Sequence, residues 1–251
     1  LHNIADSVIV FDEVHMMPVP FLQPCIRAVG YAVKYLGSEA FFLSATMPDF
    51  AELFSKYAKG CDYDELIRDK TDFKMFRNSQ IRYLGEVADD RLAQMSEENE
   101  STLIIVNSRK VAGRLYEMCR DTDRKVYCLS TYLTANDRSA LIAEIRKLLD
   151  DHEPVTVIST SLIEAGVDLD FGAVYREIAG LDSILQSAGR CNREGKRSDC
   201  FTNVFISEDG MPSKGDIGIR ANISKELLES GCNGVVGVNH AVVLYQIDIH
   251  V

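Results

Sequence analysis

The sequence has 251 residues, of which 46% are hydrophobic and 26% charged, and this composition excludes an intrinsically disordered chain. A net charge of −11 argues against a protein that coats nucleic acid over its whole surface, although basic residues between 190 and 197 allow a local basic groove. No apolar run approaches the roughly 20 residues of a membrane span, and seven cysteines without C-x-x-C spacing favour reduced thiols in a cytoplasmic protein.

The first predicted strand is an apolar run that ends at Phe11 and leads directly into two acids. The run is short and mostly β-branched, which is typical of a buried strand in a parallel sheet. Asp12 and Glu13 then fall at its carboxyl end, where ligands bind in open α/β sheets. Adjacent carboxylates suit magnesium-dependent chemistry on a nucleotide, because one acid can hold the ion while the next polarises a nucleophile. The alternative is a solvated acidic turn after a strand.

The remainder of residues 1–88 is typical of a small α/β unit. Apolar residues at helical spacing predict a helix over 21–36, and Gly37 suits its C-cap. A second buried strand is expected over 40–43, and it leads into the tripeptide Ser-Ala-Thr. This unit therefore has the alternating strands and helices of a parallel sheet.

An acidic stretch separates this region from a second one. Residues 81–87 predict an edge strand of the first unit, and residues 89–101 are expected to be a linker or a solvated helix between domains. Beyond them, strands alternate with helices, which predicts a parallel, doubly wound sheet. We expect Thr134 to cap one long helix and Asp182 to cap the helix that carries Gln186. The predicted strands of this second unit are 102–106, 126–129, 155–159, 173–178 and 201–206, with the last one closing the sheet.

Four motifs occur in a characteristic order along the chain. They are DEVH (12–15), SAT (44–46), STSLIEAGVDLDF (159–171) and QSAGRCNREGK (186–196). In this order they resemble the later motifs of superfamily 2 helicases, the DExD/H-box ATPases. The closer resemblance, carried above all by EAGVDLDF and QxxGRCNR, is to the helicase part of the type I CRISPR-associated helicase–nuclease. It covers residues 1–206.

This resemblance implies a P-loop NTPase type of fold with two RecA-like parallel-sheet lobes. The first lobe, incomplete, would occupy residues 1–88 and carry the DEVH and SAT motifs. Residues 89–101 would be the linker, residues 102–206 the second lobe, and residues 207–251 a C-terminal extension whose role is unassigned.

The resemblance also implies roles for residues of the first lobe. Asp12 would hold Mg²⁺ through water, and Glu13 would orient and deprotonate the water that attacks ATP. His15 would couple the ATP site to the neighbouring domain, unless it is a surface histidine on a turn. Ser44 and Thr46 would relay the state of the DEVH segment, although they can also cap the following helix.

In the second lobe, the resemblance implies a nucleotide-facing set of residues. Arg190 and Arg193 are the candidate arginine fingers, and their spacing of three fits a helix end from which both point to one side. Gln186 would share that face and approach the γ-phosphate, and ordinary surface arginines are the alternative. The remaining candidates for nucleotide binding are Gly166, Asp168 and Gly189, of which Asp168 can reach either the ribose or Arg193.

Three loops are implied to contact the nucleic-acid backbone. Tyr132 stands where the family often has arginine, so one phosphate contact is either absent or replaced by stacking. Ser187 also departs from a frequent arginine, which leaves the contact of that position open. The residues of these loops are Ser108, Arg109, Ser130, Thr131, Thr160 and Ser161.

The sequence contains no G-x-x-x-x-G-K-[ST] run. The segment from Gly189 to Lys196 is similar, but it is one residue too long and no serine or threonine follows its lysine. The resemblance places the missing phosphate-binding loop, and an HD nuclease domain, upstream of DEVH. We therefore expect part of an ATP- and Mg²⁺-dependent 3′-to-5′ helicase on single-stranded DNA, inactive as these residues alone. It would act in antiviral CRISPR interference beside a guide-RNA surveillance complex. Alternatives are another superfamily 2 DNA or RNA helicase and a non-catalytic nucleic-acid-binding module.

Overall fold

The computed structural model describes most of the chain and divides it into two compact units. One lies within residues 1–71 and the other within residues 72–244. Each unit has its own sheet and its own apolar core. The described residues are 3–14, 17–44, 50–64, 66, 79–164, 167–198, 200–212, 215–230 and 235–236.

The first unit contains two parallel strands and two helices. They are β1 (Val8–Phe11), α1 (Val19–Leu36), β2 (Glu39–Phe42) and α2 (Phe50–Tyr57), with Val8 of β1 paired to Glu39 of β2. The predicted C-cap of α1 is confirmed, because Gly37 has a φ of 66° and donates its N–H to the carbonyl of Ala32.

Aromatic packing organises the core of the first unit. The Phe42 ring stacks on Phe11 and on Phe50, each with ring centroids 5.1 Å apart, and both helices contribute to the same cluster. On the other face of β1, Val8 and Val10 are 62% and 57% exposed. The expectation of a fully buried strand is therefore wrong for β1, because the described residues cover only one of its faces.

The second unit is a twisted sheet with helices on both faces. Its sheet order is β5-β6-β4-β7-β8-β3-β9, in which only β9 is antiparallel to its neighbour. The predicted α/β class is confirmed. The strands are β3 (Gln80–Glu86), β4 (Ser101–Ile105), β5 (Lys125–Leu129), β6 (Val155–Ser159), β7 (Ala173–Glu177), β8 (Phe201–Ile206) and β9 (Val235–Val236), and the helices are α3 (Asp89–Glu97), α4 (Arg109–Cys119), α5 (Ala135–Asp150), α6 (Leu181–Ala188) and α7 (Gly215–Ser230).

The central strand β4 is buried on both faces and separates two cores. Leu103 and Ile105 belong to the cluster that contains Leu148 of α5. The alternating residue Ile104 belongs to the cluster that contains Leu115 of α4. This twofold alternation is what the pleat of a strand imposes, and it explains why residues 103–105 are apolar in succession.

The structure places the boundary between the units earlier than the sequence suggests. Strand β3 pairs in parallel with β8, with Gln80 opposite Phe201, so it belongs to the second sheet and not to the first unit. Helix α3 packs on the same sheet through Leu92, which is fully buried. The stretch 89–101 suggests a linker because most of its acids are exposed to solvent, although Asp89 is buried and pairs with Arg114. Strand β8 consequently lies inside the sheet and does not close it.

Helix starts of the second unit follow two different patterns. Thr134 caps α5 as predicted, since its hydroxyl oxygen accepts the N–H of Asp137 at 3.2 Å. Asp182 does not cap α6, because the N-cap is Gly180 and makes no side-chain cap bond. The Asp182 carboxylate instead lies 3.6 Å from the guanidinium of Arg220 on α7. Within the C-terminal extension, the secondary structure of the described residues consists of helix α7 and the short strand β9.

Two helix-interior glycines allow a matched test of packing. A Cβ at Gly30 would lie 2.6 Å from the Cβ of Ala58, whereas one at Gly113 would meet nothing within 4 Å. Gly30→Ala should therefore destabilise the first unit by about 1–3 kcal/mol through overpacking. Gly113→Ala should stabilise the second unit by up to about 1 kcal/mol through helix propensity. Urea unfolding followed by hydrogen exchange in α1 and α4 measures both, and equal effects would contradict the close contact at Gly30.

Candidate functional site

The acidic pair of the first unit lies on a tight turn directly after β1. Asp12 and Glu13 are both exposed, and the Glu13 N–H donates to Oδ1 of Asp12 at 2.9 Å. Glu13 has a φ of 52°, a left-handed conformation that is uncommon outside glycine and is found often at functional sites. Val14 is buried and donates its N–H to the carbonyl of Leu43, which anchors the turn beside the end of β2.

Three of the predicted site residues, His15, Thr46 and Gly166, lie outside the described residues. Ser44 is described and directly follows Leu43, the residue whose carbonyl anchors the acidic turn. Ser44 is therefore the next residue after the backbone partner of the DEVH segment, and its relay role stays a prediction.

The predicted nucleic-acid residues of the second unit converge on one edge of its sheet. Strands β5, β6 and β4 are consecutive neighbours, and polar residues follow the carboxyl end of each. Parallel strands bring such loops together at one edge, where ligands bind in α/β folds. The residues are Ser108 and Arg109 after β4, Ser130 and Thr131 after β5, and Thr160 and Ser161 after β6.

These edge residues differ in how far a ligand can reach them. Arg109, Thr131 and Ser161 are exposed. Ser130 and Thr160 are each only 8% exposed, and the Ser130 hydroxyl accepts the backbone N–H of Tyr132. The exposed three are therefore suited to contact a backbone phosphate, while the buried two shape their loops.

The EAGVDLDF segment (residues 164–171) is joined to the arginine turn (residues 190–197) by a parallel β-bridge. Phe171 donates its N–H to the carbonyl of Arg190 at 3.0 Å, and Asn192 donates its N–H to the carbonyl of Phe171 at 2.9 Å. Asn192 has a φ of 51°, which asparagine tolerates better than most residues. The bridge therefore fixes the start of the arginine turn, just after α6, to the end of the EAGVDLDF segment.

Two aspartates reinforce this junction. Asp168 forms an ion pair with Arg193 at 2.7 Å, which is one of the two contacts predicted for it. Asp170 accepts the backbone N–H of Arg193 at 2.7 Å and pairs with the guanidinium of Arg197 at 2.9 Å. The position and side-chain direction of Arg193 are thus set by the EAGVDLDF segment.

The two candidate arginine fingers do not share a helix face. Helix α6 ends at Ala188, and the side chain of Arg193 lies beyond the turn and is 44% exposed. Arg190 is only 8% exposed and donates to the carbonyls of Ile163 at 3.3 Å and Glu164 at 2.7 Å. The helical spacing argument is wrong here, because the turn at residues 191–192 sends the two guanidinium groups to different surroundings.

The end of α6 carries the other predicted residues. Gln186 is half-buried, and Gly189 is exposed at the C-cap. Gly189 has a φ of −66°, and a Cβ there would lie 3.3 Å from the carbonyl oxygen of Gln186. Its backbone conformation therefore does not demand glycine.

Sequence reasoning missed a buried ionic network centred on Arg176. This guanidinium lies 2.8 Å from Oε1 of Glu164 as an ion pair, and it donates to Asn107 at 2.8 Å and to Ser183 at 2.9 Å. The Ser183 hydroxyl in turn contacts the Glu164 carboxylate at 2.7 Å. Burial lowers the pKa of Arg176, but the charges of Glu164 and Glu177 oppose that shift, and the guanidinium stays protonated at neutral pH.

Glu177 extends this network across the sheet. Its carboxylate accepts the N–H of Asn107 at 2.6 Å and the hydroxyl of Ser207 at 2.9 Å, which ties together the ends of β4, β7 and β8. The signal in the sequence was an Arg-Glu pair inside an otherwise apolar predicted strand, a pattern that favours a paired buried charge.

Comparison with known proteins links the sequence to one family. Residues 98–196 match a protein-family model described as CRISPR-associated nuclease/helicase Cas3, C-terminal. A CRISPR-associated nuclease/helicase Cas3 from Methanothermobacter thermautotrophicus is 40% identical over 124 residues, which are 48% of this chain and 15% of that protein. The match thus spans a small share of the relative's length.

Solved structures show the same fold. The crystal structure of T. fusca Cas3 with ATP covers 96% of this chain and 35% of its own, with a TM-score of 0.71 and 16% identity. A chain of a CRISPR RNA-guided surveillance complex in a pre-nicking state covers 95% of this chain and 37% of its own, with a TM-score of 0.67 and 15% identity. The α/β units therefore have the RecA-like architecture of Cas3 lobes.

The buried network gives a stability prediction. Arg176→Met should destabilise the second unit by about 3–5 kcal/mol, because it leaves the Glu164 carboxylate buried without its cation. Adding Glu164→Gln should recover part of this loss, since the amide carries no charge. Urea unfolding measured by circular dichroism gives both values.

The control carries the same substitution at an exposed ion pair. Arg193→Met removes the partner of Asp168, which is 73% exposed, and should cost less than about 1 kcal/mol. Equal losses of unfolding free energy in the Arg176 and Arg193 variants would show that the buried ion pair contributes no more to stability than the exposed one.

Proposed function

We propose that this chain supplies part of an ATP-driven motor of the CRISPR-associated Cas3 helicase family, one that moves 3′-to-5′ on single-stranded DNA. The observation that carries the proposal is the junction between the EAGVDLDF segment and the arginine turn. It holds Arg193 at the surface through Asp168 and Asp170. A cation fixed in this way is what phosphoryl transfer requires, since the chemistry depends on positioned charge.

The acidic turn of the first unit would provide the hydrolytic chemistry. Asp12 is an exposed carboxylate at a strand end, which fits Mg²⁺ because that ion takes one or two carboxylates and keeps several waters. Bound there, Mg²⁺ would neutralise charge on the phosphates of ATP. Glu13, next in the chain and exposed, would orient the attacking water and accept its proton. His15, Ser44 and Thr46 would pass the state of this turn to neighbouring segments.

The arginines of the second unit would then have separate tasks. Arg193, exposed and held by Asp168, is the better candidate for contact with the transferred phosphoryl group. Arg190 is bonded to the carbonyls of Ile163 and Glu164 and would position the EAGVDLDF segment. Gln186, Gly166 and Gly189 would complete the nucleotide-facing surface.

The edge formed by the loops after β4, β5 and β6 would bind the DNA backbone. Exposed Arg109, Thr131 and Ser161 would contact phosphates, and such contacts position a strand without reading its sequence. The motor would work in the cytoplasm in antiviral defence. The likeness to a chain of a surveillance complex supports a guide-RNA complex as its partner. Among the described residues no helix is long and apolar enough to cross a membrane.

Hydrolysis requires a phosphate-binding loop that these 251 residues do not contain. We therefore propose that the chain by itself hydrolyses no ATP and unwinds no DNA, and that a loop supplied by a longer polypeptide restores both. Phosphate release by the purified 251-residue chain, abolished by Glu13→Gln, would contradict this proposal.

In an active polypeptide that contains this sequence, Glu13→Gln should abolish ATP hydrolysis while ATP still binds. The amide keeps the shape of the side chain and removes the base. Asp12→Ala should in addition weaken magnesium-dependent nucleotide binding. Turnover assays beside a nucleotide titration distinguish the two roles, and unchanged turnover in the Glu13 variant would remove that residue from the mechanism.

In the same polypeptide, Arg193→Ala should slow hydrolysis by about 10³-fold or more while costing less than about 1 kcal/mol of stability. Arg193→Lys should not restore the rate, because a point charge cannot make a planar, two-pronged contact. Arg190→Ala should lower both rate and thermal stability, since two backbone carbonyls lose a charged donor.

Arg120→Ala serves as the control, because Arg120 is the C-cap residue of α4, forms an exposed ion pair with Glu117, and should affect neither quantity. Steady-state hydrolysis and thermal melts measure the set. A parental rate in the Arg193 variant would assign the phosphoryl contact to another residue.

A further inference from the structure

One large aromatic side chain stands out at the carboxyl edge of the second sheet. Tyr132 follows β5 and is 77% exposed, although aromatic side chains are usually buried because their rings are large and apolar. The guanidinium of Arg109, the first residue of α4, lies 4.5 Å from the centre of its ring. The segments that follow β4 and β5 thus meet at this ring.

The backbone on both sides of the ring is anchored. Ser130 accepts the N–H of Tyr132 on its hydroxyl and the N–H of Leu133 on its carbonyl at 3.2 Å. Leu133 packs against the apolar core, and Thr134 caps α5. A ring held by a fixed loop and a cation loses little conformational freedom when a ligand binds.

We propose that Tyr132 is a stacking platform for one base of single-stranded DNA, with Arg109 on the other side of the ring. Aromatic side chains bind bases of any sequence, because every base has a π-face. The exposed hydroxyls of Thr131 and Ser161 and the charge of Arg109 lie on the same edge and suit the adjoining phosphates. The inference rests on the proposed function and assigns that edge a contact with bases as well as with the backbone.

The absence of tryptophan from the sequence allows a direct probe. Tyr132→Trp creates the only tryptophan of the chain. Its fluorescence should be quenched when an oligodeoxythymidine strand binds, and it should not be quenched by an abasic strand of equal length. The matched control is Tyr35→Trp, because Tyr35 on α1 is 65% exposed and has the ammonium group of Lys34 5.5 Å from its ring centre. Quenching at position 132 but not at position 35 supports the platform.

Affinity gives an independent measurement on the 251-residue chain. Tyr132→Ala should weaken binding of the labelled strand about tenfold, in the range of one aromatic–base stack, and Tyr132→Phe should bind like the parent. Arg109→Ala should reduce the salt dependence of binding, whereas Tyr132→Ala should leave that dependence unchanged. Circular dichroism melts of each variant establish that the fold is intact.

The outcomes separate the platform from the proposed function. Parental affinity in Tyr132→Ala, or equal quenching by normal and abasic strands, would overturn the platform and leave the proposed DNA binding in place. If the parent chain bound no strand in low salt by fluorescence anisotropy, both the platform and binding by this edge would be rejected.

Discussion

The buried pair of Arg176 and Glu164 is the constraint on which the second unit depends. Removing two charges from water is costly, and the cost is offset only when every polar atom around them is well placed. Ser183 and Asn107 provide that surrounding, so α6, β4 and β7 must keep one relative position. The network therefore restricts the packing of the sheet more sharply than its apolar contacts, which tolerate exchange among side chains of similar volume.

Glu164 also links the network to the arginine turn, because its carboxylate and its backbone carbonyl bind different partners. The carboxylate pairs with Arg176, and the carbonyl accepts a hydrogen bond from the guanidinium of Arg190. On the other side of the network, Asn107 contacts Arg176 and lies just before Arg109, the first residue of α4. The nucleic-acid edge and the arginine turn thus share one rigid, hydrogen-bonded support. In a close-packed interior of low compressibility, a displacement at one end of such a support strains the contacts at the other.

The sequence predicted what local patterns encode and missed what distant segments decide. The predicted bounds of strands 155–159 and 201–206 are the observed ones, because β-branched and aromatic residues, which favour strands, dominate both segments. Strand β3 was assigned to the other unit, since its partner β8 lies more than 100 residues away and no local signal reports such a pairing. The different burial of Arg190 and Arg193 was equally hidden, because it arises from the β-bridge at Phe171.

Two departures from the resembled family have different physical settings in this chain. Ser187 stands where arginine is frequent, and it is fully buried, with its hydroxyl 2.8 Å from the carbonyl of Ser183 and 3.4 Å from Glu164. A second guanidinium there would add a buried charge beside a carboxylate that Arg176 already neutralises, so a small hydroxyl fits the network. Tyr132 replaces an arginine at an exposed edge, where no such balance applies. There the exchange removes a charge and supplies a ring, and Arg109 keeps a cation within 4.5 Å of it.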